Sequence, residues 1–226
     1  MKRRTLLAIA GVVAVVAVAG TGALAAGGSP TVTLRIEGAK KTLLVPTDVK
    51  AGHGSITKYG APKGQCPAQS AQGALDVATH GDWKGKWYPS YHEYLITSIR
   101  GETPKGHDFW EFFVDDKSSN VGACDVKLHA GEQLLFADTD GKSYPSALKA
   151  PSSVESGESF EVTLVGFNAK GNAKPLSGVK LTGGGTHATT NSHGKASITD
   201  KKPGTLVLTA SPKGYIRTEV VVKVTK

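Results

Sequence analysis

Beyond residue 30 the chain alternates apolar and polar positions with the two-residue period of half-buried strands. In Thr31-Val32-Thr33-Leu34-Arg35-Ile36-Glu37-Gly38 the apolar set Val32, Leu34 and Ile36 falls on one face. A shorter apolar run, residues 42–45, stops at Pro46, and the Gly- and Pro-rich residues 52–64 read as loop. One stretch has helical spacing. Ala68, Ala71, Leu75 and Ala78 recur at three and four after Pro67, with Gly81 just beyond, which predicts a short helix over residues 67–79. An aromatic region follows, with Trp83 and Trp87 in a Gly/Lys-rich loop that feeds a strand over residues 94–99. Residues 109–114 read as a strand, 115–120 as a turn, and 126–128 and 133–137 as two further strands. Residues 31–146 are therefore expected to form an α+β domain with one short helix.

Pro145 and the Ser- and Pro-rich residues 143–159 mark a shift from aromatic to Thr-, Val- and Lys-rich composition. Beyond it, Phe160, Val162 and Leu164 alternate, as do Val179 and Leu181, then Leu206, Leu208 and Ala210. Asn191-Ser192-His193-Gly194 reads as a hairpin turn, and residues 219–224 as a closing strand. With short pieces near Leu148 and Thr186 this makes about seven strands, the economy of an immunoglobulin-like sandwich over residues 147–226. The fold class expected is mainly β.

The leading 26 residues break this pattern. Lys2, Arg3 and Arg4 precede an apolar Leu/Ala/Val/Gly run and then Ala23-Leu24-Ala25, the layout of an export signal with cleavage expected after Ala25. The run is also long enough for the alternative of an uncleaved membrane anchor. No cysteine follows at a lipidation position, and no sorting tail is expected after the strand-like end at Lys226. A secreted or extracellular location agrees with the cysteine count. Cys66 and Cys124 are the two cysteines of the chain, and an exported protein is expected to join them, constraining the unfolded chain by about 4 kcal/mol. A joined pair offers no thiol nucleophile.

Charge separates the halves. Residues 31–146 carry 13 basic and 14 acidic side chains, whereas residues 147–226 carry 11 and 5. The basic excess is expected either to favour an anionic envelope polymer as partner or to be a solvated face, since no Lys/Arg run there exceeds two residues. Specific nucleic-acid recognition is not expected.

Candidate chemistry concentrates in the rings. Trp83, Trp87, Tyr88, Tyr91 and Trp110 offer planar area on which a sugar or other small molecule can stack. Packing is the competing role, above all for Trp110, which shares a strand face with Phe112 and Val114. His53, His80, His92, His107 and His129 lack the spacing of a zinc site, and His187 and His193 have no third ligand. Asp138-Thr139-Asp140-Gly141 starts like a calcium loop but lacks the later acids, so an ordinary turn is expected. There is no G-x-S-x-G elbow, no H-E-x-x-H and no phosphate loop, and no enzyme is expected.

The ordered set V-x-L-x-I-E-G (32–38), Cys66 before Ala74-Leu75-Asp76, Y-L-I-T-S-I-R-G (94–101), W-E-F-F-V (110–114), Gly122-Ala123-Cys124 and L-H-A-G-E (128–132) resembles the DUF4430 family, bacterial relatives of the C-terminal domain of transcobalamin and intrinsic factor. The resemblance implies a β-grasp-like fold and non-covalent ligand binding. Two turns depart from the family pattern, Asp115-Asp116 in place of Asn-Gly and Gly131-Glu132 in place of Gly-Asp. The helical domain that encloses the corrinoid in cobalamin carriers has no counterpart, so cobalamin is expected only together with a partner, and otherwise no cofactor. Pro175-Leu176-Ser177-Gly178-Val179-Lys180-Leu181, residues 190–196 and residues 202–210 resemble bacterial immunoglobulin-like and carboxypeptidase-regulatory-like modules. The function expected is an exported, non-catalytic ligand-binding or adhesive surface protein, with a small molecule or glycan at the first domain. The alternative is a structural spacer of the cell envelope.

Overall fold

Three sheets and a separate two-stranded hairpin make up the computed structural model, which describes residues 28–226. The expected leader lies outside the described residues. In the first half the elements are β1 (Thr31–Glu37), β2 (Thr42–Lys50), α1 (Ala71–Ala78), β3 (Trp83–Tyr88), β4 (Glu93–Ile99), β5 (Phe109–Val114), β6 (Lys117–Ser118) and β7 (Gln133–Thr139). The sheet order is β2-β1-β7-β5-β6, with β1 antiparallel to β2 and parallel to β7 at the centre. This is the β-grasp arrangement: a hairpin, a helix, and a last strand inserted beside the first.

Local chemistry explains where the elements depart from the expected boundaries. β2 runs through Pro46 because it is the sheet edge, where a missing N–H costs no ladder bond. The helix starts at Ala71, four residues after Pro67, because residues 67–70 form a turn and Ser70 caps the helix by accepting from the Gly73 N–H at 3.3 Å. Residues 126–128 form no strand; Lys127 makes an isolated bridge to Ser70. Asp115 and Asp116 both adopt positive φ, 47° and 61°, the conformation of the two-residue turn that folds β6 back on β5. Cys66 and Cys124 are joined, with Cα atoms 4.7 Å apart.

The second half comprises β8 (Ser146–Lys149), β9 (Ser153–Glu155), β10 (Ser159–Phe167), β11 (Ala173–Pro175), β12 (Lys180–Gly183), β13 (Thr186–Thr189), β14 (Lys195–Thr199), β15 (Gly204–Ala210) and β16 (Thr218–Thr225). One sheet joins β11, β10, β14 and β8, and the other runs β13-β12-β15-β16-β9. Phe160, Val162, Leu164 and Ile198 of the first meet Leu181, Leu206, Leu208 and Val222 of the second in a sandwich core. The strand count exceeds seven through the three-residue edge pieces β9 and β11, too short for an alternation to show in sequence. The turn at residues 191–194 is not a hairpin: it carries the chain from β13 in one sheet to β14 in the other. Gly194 suits it twice over, with φ at 72° and the Leu164 carbonyl where a Cβ would stand.

The central strands of the first sheet are buried on both faces. Leu34, Ile36, Leu134 and Phe136 face α1 and the β3–β4 hairpin. On the opposite face, Phe113, Leu135 and Ala137 pack with Ile216 of the second half.

Candidate functional site

The aromatic residues converge, but inward. Trp83 and Trp87 lie on β3 rather than in a loop, four residues apart on its inner face, and are 1% and 7% exposed. Trp110 is 8% exposed. Trp83 sits edge-on between Tyr59 and Tyr94, with ring centroids 5.4 and 5.0 Å away, and Trp87 meets Tyr94 at 4.9 Å. The Trp83 indole N–H donates to Asp76 Oδ1 at 2.6 Å, the Tyr59 hydroxyl donates to the Trp83 carbonyl at 2.7 Å, and the Tyr94 hydroxyl donates to the Lys58 carbonyl at 2.7 Å. Burial, followed by the charges of Asp76 and Glu93, raises the Tyr94 hydroxyl to about 12. The three indoles are thus core, and their faces are closed to a stacked sugar or corrin. Their sealing corrects the expectation of an aromatic groove; the physical reason is that β3 pairs with β4, and its alternation turns both indoles into the core, Trp83 onto Asp76 of α1 and Trp87 onto Tyr94.

Tyr88 and Tyr91 stay outside. Tyr91, at the hairpin tip, is 73% exposed, and its ring centroid lies 6.5 Å from that of half-buried Tyr88, over which the Lys86 ammonium sits at 4.9 Å. Lys84, Leu95 and Thr97 are exposed on the same hairpin.

An open cleft of about 710 Å³ lies beside the β1–β2 turn. Lys40, Lys41, Arg100 and Lys105 line it with Glu102, Asp108 and Asp138. Burial, then the negative charges of Asp108 and Glu102, push the Asp138 carboxyl up to about 6, and its Oδ1 is buried without a hydrogen-bond partner. A carboxyl that binds its proton more tightly folded than unfolded weakens the fold above that value, and the penalty fades as pH falls toward 4. Asp138→Asn is therefore expected to raise the melting temperature at pH 7 by roughly 2–4 °C, a figure kept small because the group is partly solvated. The gain over wild type should vanish in melts at pH 4. Asp140 is part of an ordinary turn, accepting from the Lys142 N–H and the Ser143 hydroxyl. Among the described residues, no group of three or more His, Cys, Asp or Glu side chains is placed to hold a metal ion.

The densest polar cluster lies between the halves and involves residues that strand alternation assigns to solvent. Glu37, on β1, is fully buried. Its Oε1 accepts from Arg35 at 3.4 Å, and its Oε2 accepts from Thr42 at 2.8 Å and Arg217 at 3.4 Å. Arg35 reaches across to the Thr218 hydroxyl at 2.8 Å and the Ser146 carbonyl at 3.0 Å, while Arg217 reaches back to the Thr42 hydroxyl at 2.8 Å. Both carboxylate oxygens only accept, so the geometry is that of an ionised group held by two guanidiniums. Burial works against it, pushing the Glu37 carboxyl upward and the Arg35 guanidinium downward, with their mutual attraction opposing. Two signals in the sequence point here: opposite charges two residues apart on one strand face, and the unbroken apolar run Leu134-Leu135-Phe136-Ala137, which marks a strand buried on both sides.

The disulfide fits an oxidising compartment, and no helix among the described residues is long and apolar enough to cross a membrane. No curated protein matches the chain. Residues 74–138, from within α1 almost to the end of β7, match the model of a domain of unknown function, DUF4430; the match takes in the motifs from Ala74 to Glu132, and residues 32–38 and Cys66 lie outside it.

Proposed function

We propose that the chain is an exported, non-catalytic surface protein that works as a rigid mount: the second module holds the first in a fixed orientation and presents its exposed hairpin. The observation that carries this reading is the buried Arg35–Glu37–Arg217 cluster, which spans the two halves together with the apolar contact of Ile216 on Phe113 and Leu135. Two modules joined by a flexible linker need no buried charges between them. The presented end is the β3–β4 hairpin, where Tyr91, Tyr88, Lys84, Lys86 and Leu95 form an adhesive-type surface of rings, cations and one aliphatic side chain.

Binding of a small ligand is the second reading, and the open cleft between Lys40, Arg100 and Asp138 favours it. Titration with cobalamins and with neutral wall-derived saccharides separates the two. The mount predicts no saturable heat by calorimetry and unchanged tryptophan emission. Saturable heat that is lost in a Lys40→Ala/Arg100→Ala variant would instead assign a ligand to the cleft.

A further inference from the structure

The second module gathers cations in one concavity. A groove of about 730 Å³ runs between the β11 edge of one sheet and the β12 and β15 strands of the other, and Lys174, Lys180 and Lys213 all line it. None of its lining residues is acidic. Among the described residues none of the three lysines pairs with a carboxylate; most lysines of this module share that, and what sets these three apart is that they line one hollow with no acid in it. Lysines scattered for solubility alternate with acids; three unpaired ammoniums around one hollow create a focused positive potential that an anion relieves. The remaining walls have their own chemistry. Thr182 and Thr209 line the groove, and the half-buried Tyr215 ring carries the Lys174 ammonium 5.9 Å from its centroid.

We infer that this groove binds an anionic envelope polymer, a polyol or sugar chain with repeated phosphodiester charges. Ammonium groups meet phosphates as point charges without demanding one geometry, and hydroxyls suit the neutral polyol between them. A nucleic acid fits less well: the groove offers a single ring and no Arg, Asn or Gln to stack on or read a base. A membrane surface fits less well too, since Leu176 is buried and no large apolar side chain projects from the rim. The inference stands apart from the rigid-mount reading, for the groove belongs wholly to the second module.

The test is biolayer interferometry of the whole protein on immobilised poly(glycerol phosphate). Binding is expected at 50 mM NaCl and roughly twentyfold weaker at 200 mM, as for about three released counterions at the single-strand slope. Lys174→Ala/Lys180→Ala/Lys213→Ala should weaken it at least tenfold. Lys201→Ala/Lys202→Ala/Lys223→Ala removes the same charge from other exposed positions of the module and should leave binding within twofold. Equal loss in both variants would overturn the groove in favour of diffuse attraction. Equal or tighter binding to oligo-dT or to vesicles containing phosphatidylglycerol would overturn the choice of polymer, and no binding at 50 mM NaCl would overturn the inference outright.

Discussion

Glu37→Ala is expected to destabilise the protein by about 3–5 kcal/mol, the cost of removing one member of a buried ion cluster. The loss exceeds that of the hydrogen bonds, because Arg35, its side chain only 10% exposed, is left without its carboxylate, and Arg217, 13% exposed, keeps only Glu219 at 3.7 Å. Denaturant unfolding followed by tryptophan emission measures it, since all three tryptophans belong to the first module and report that module's transition. Glu37→Gln keeps the shape and two acceptor lone pairs but loses the charge, so a smaller loss is expected. Had Glu37 been a solvated strand residue, as its polar alternation implies, either change would stay within about 0.5 kcal/mol.

Removing the disulfide by Cys66→Ser/Cys124→Ser is expected to cost about 4 kcal/mol, the loop-closure entropy returned to the unfolded chain for a separation of 58 residues. The bond does more than shorten a loop. It ties the stretch before α1 to the segment after β6, and the Glu93 carboxylate accepts the Cys124 N–H at 2.8 Å, linking that segment to the hairpin. The same tryptophan-detected unfolding curves, run on the double variant, should show the first module's midpoint fall. A loss below about 1 kcal/mol would mean that the unfolded chain is already held compact without the bond.

Much of the fold was legible. The period-two runs of β1, β10 and β15, the short helix and the mainly β class follow from local spacing, and the paired cysteines follow from their count together with the export signal. The site was harder to read. Trp83 and Trp87 sit among Gly and Lys, a composition that suits a loop, and their burial depends on a pairing of β3 with β4 that local sequence does not fix. Arg35 and Glu37 occupy positions that alternation sends to solvent; a second module, far along the chain, covers that face. Arg217 and Thr218 have no local pattern at all, and their role arises from contact with residues about 180 positions earlier. Non-local pairing decided these residues, and a window of ten or fifteen does not contain it.

The rigid mount is tested most directly by electron–electron distance measurements between spin labels at Thr97 in the first module and Thr205 in the second, both exposed. Labels attached to keto-bearing side chains leave the disulfide untouched. A fixed junction predicts one narrow distance distribution for the otherwise unaltered protein and a broadened one when Glu37→Ala is added. A broad distribution in the protein with Glu37 intact would show that the modules swing freely, and the account would fail there.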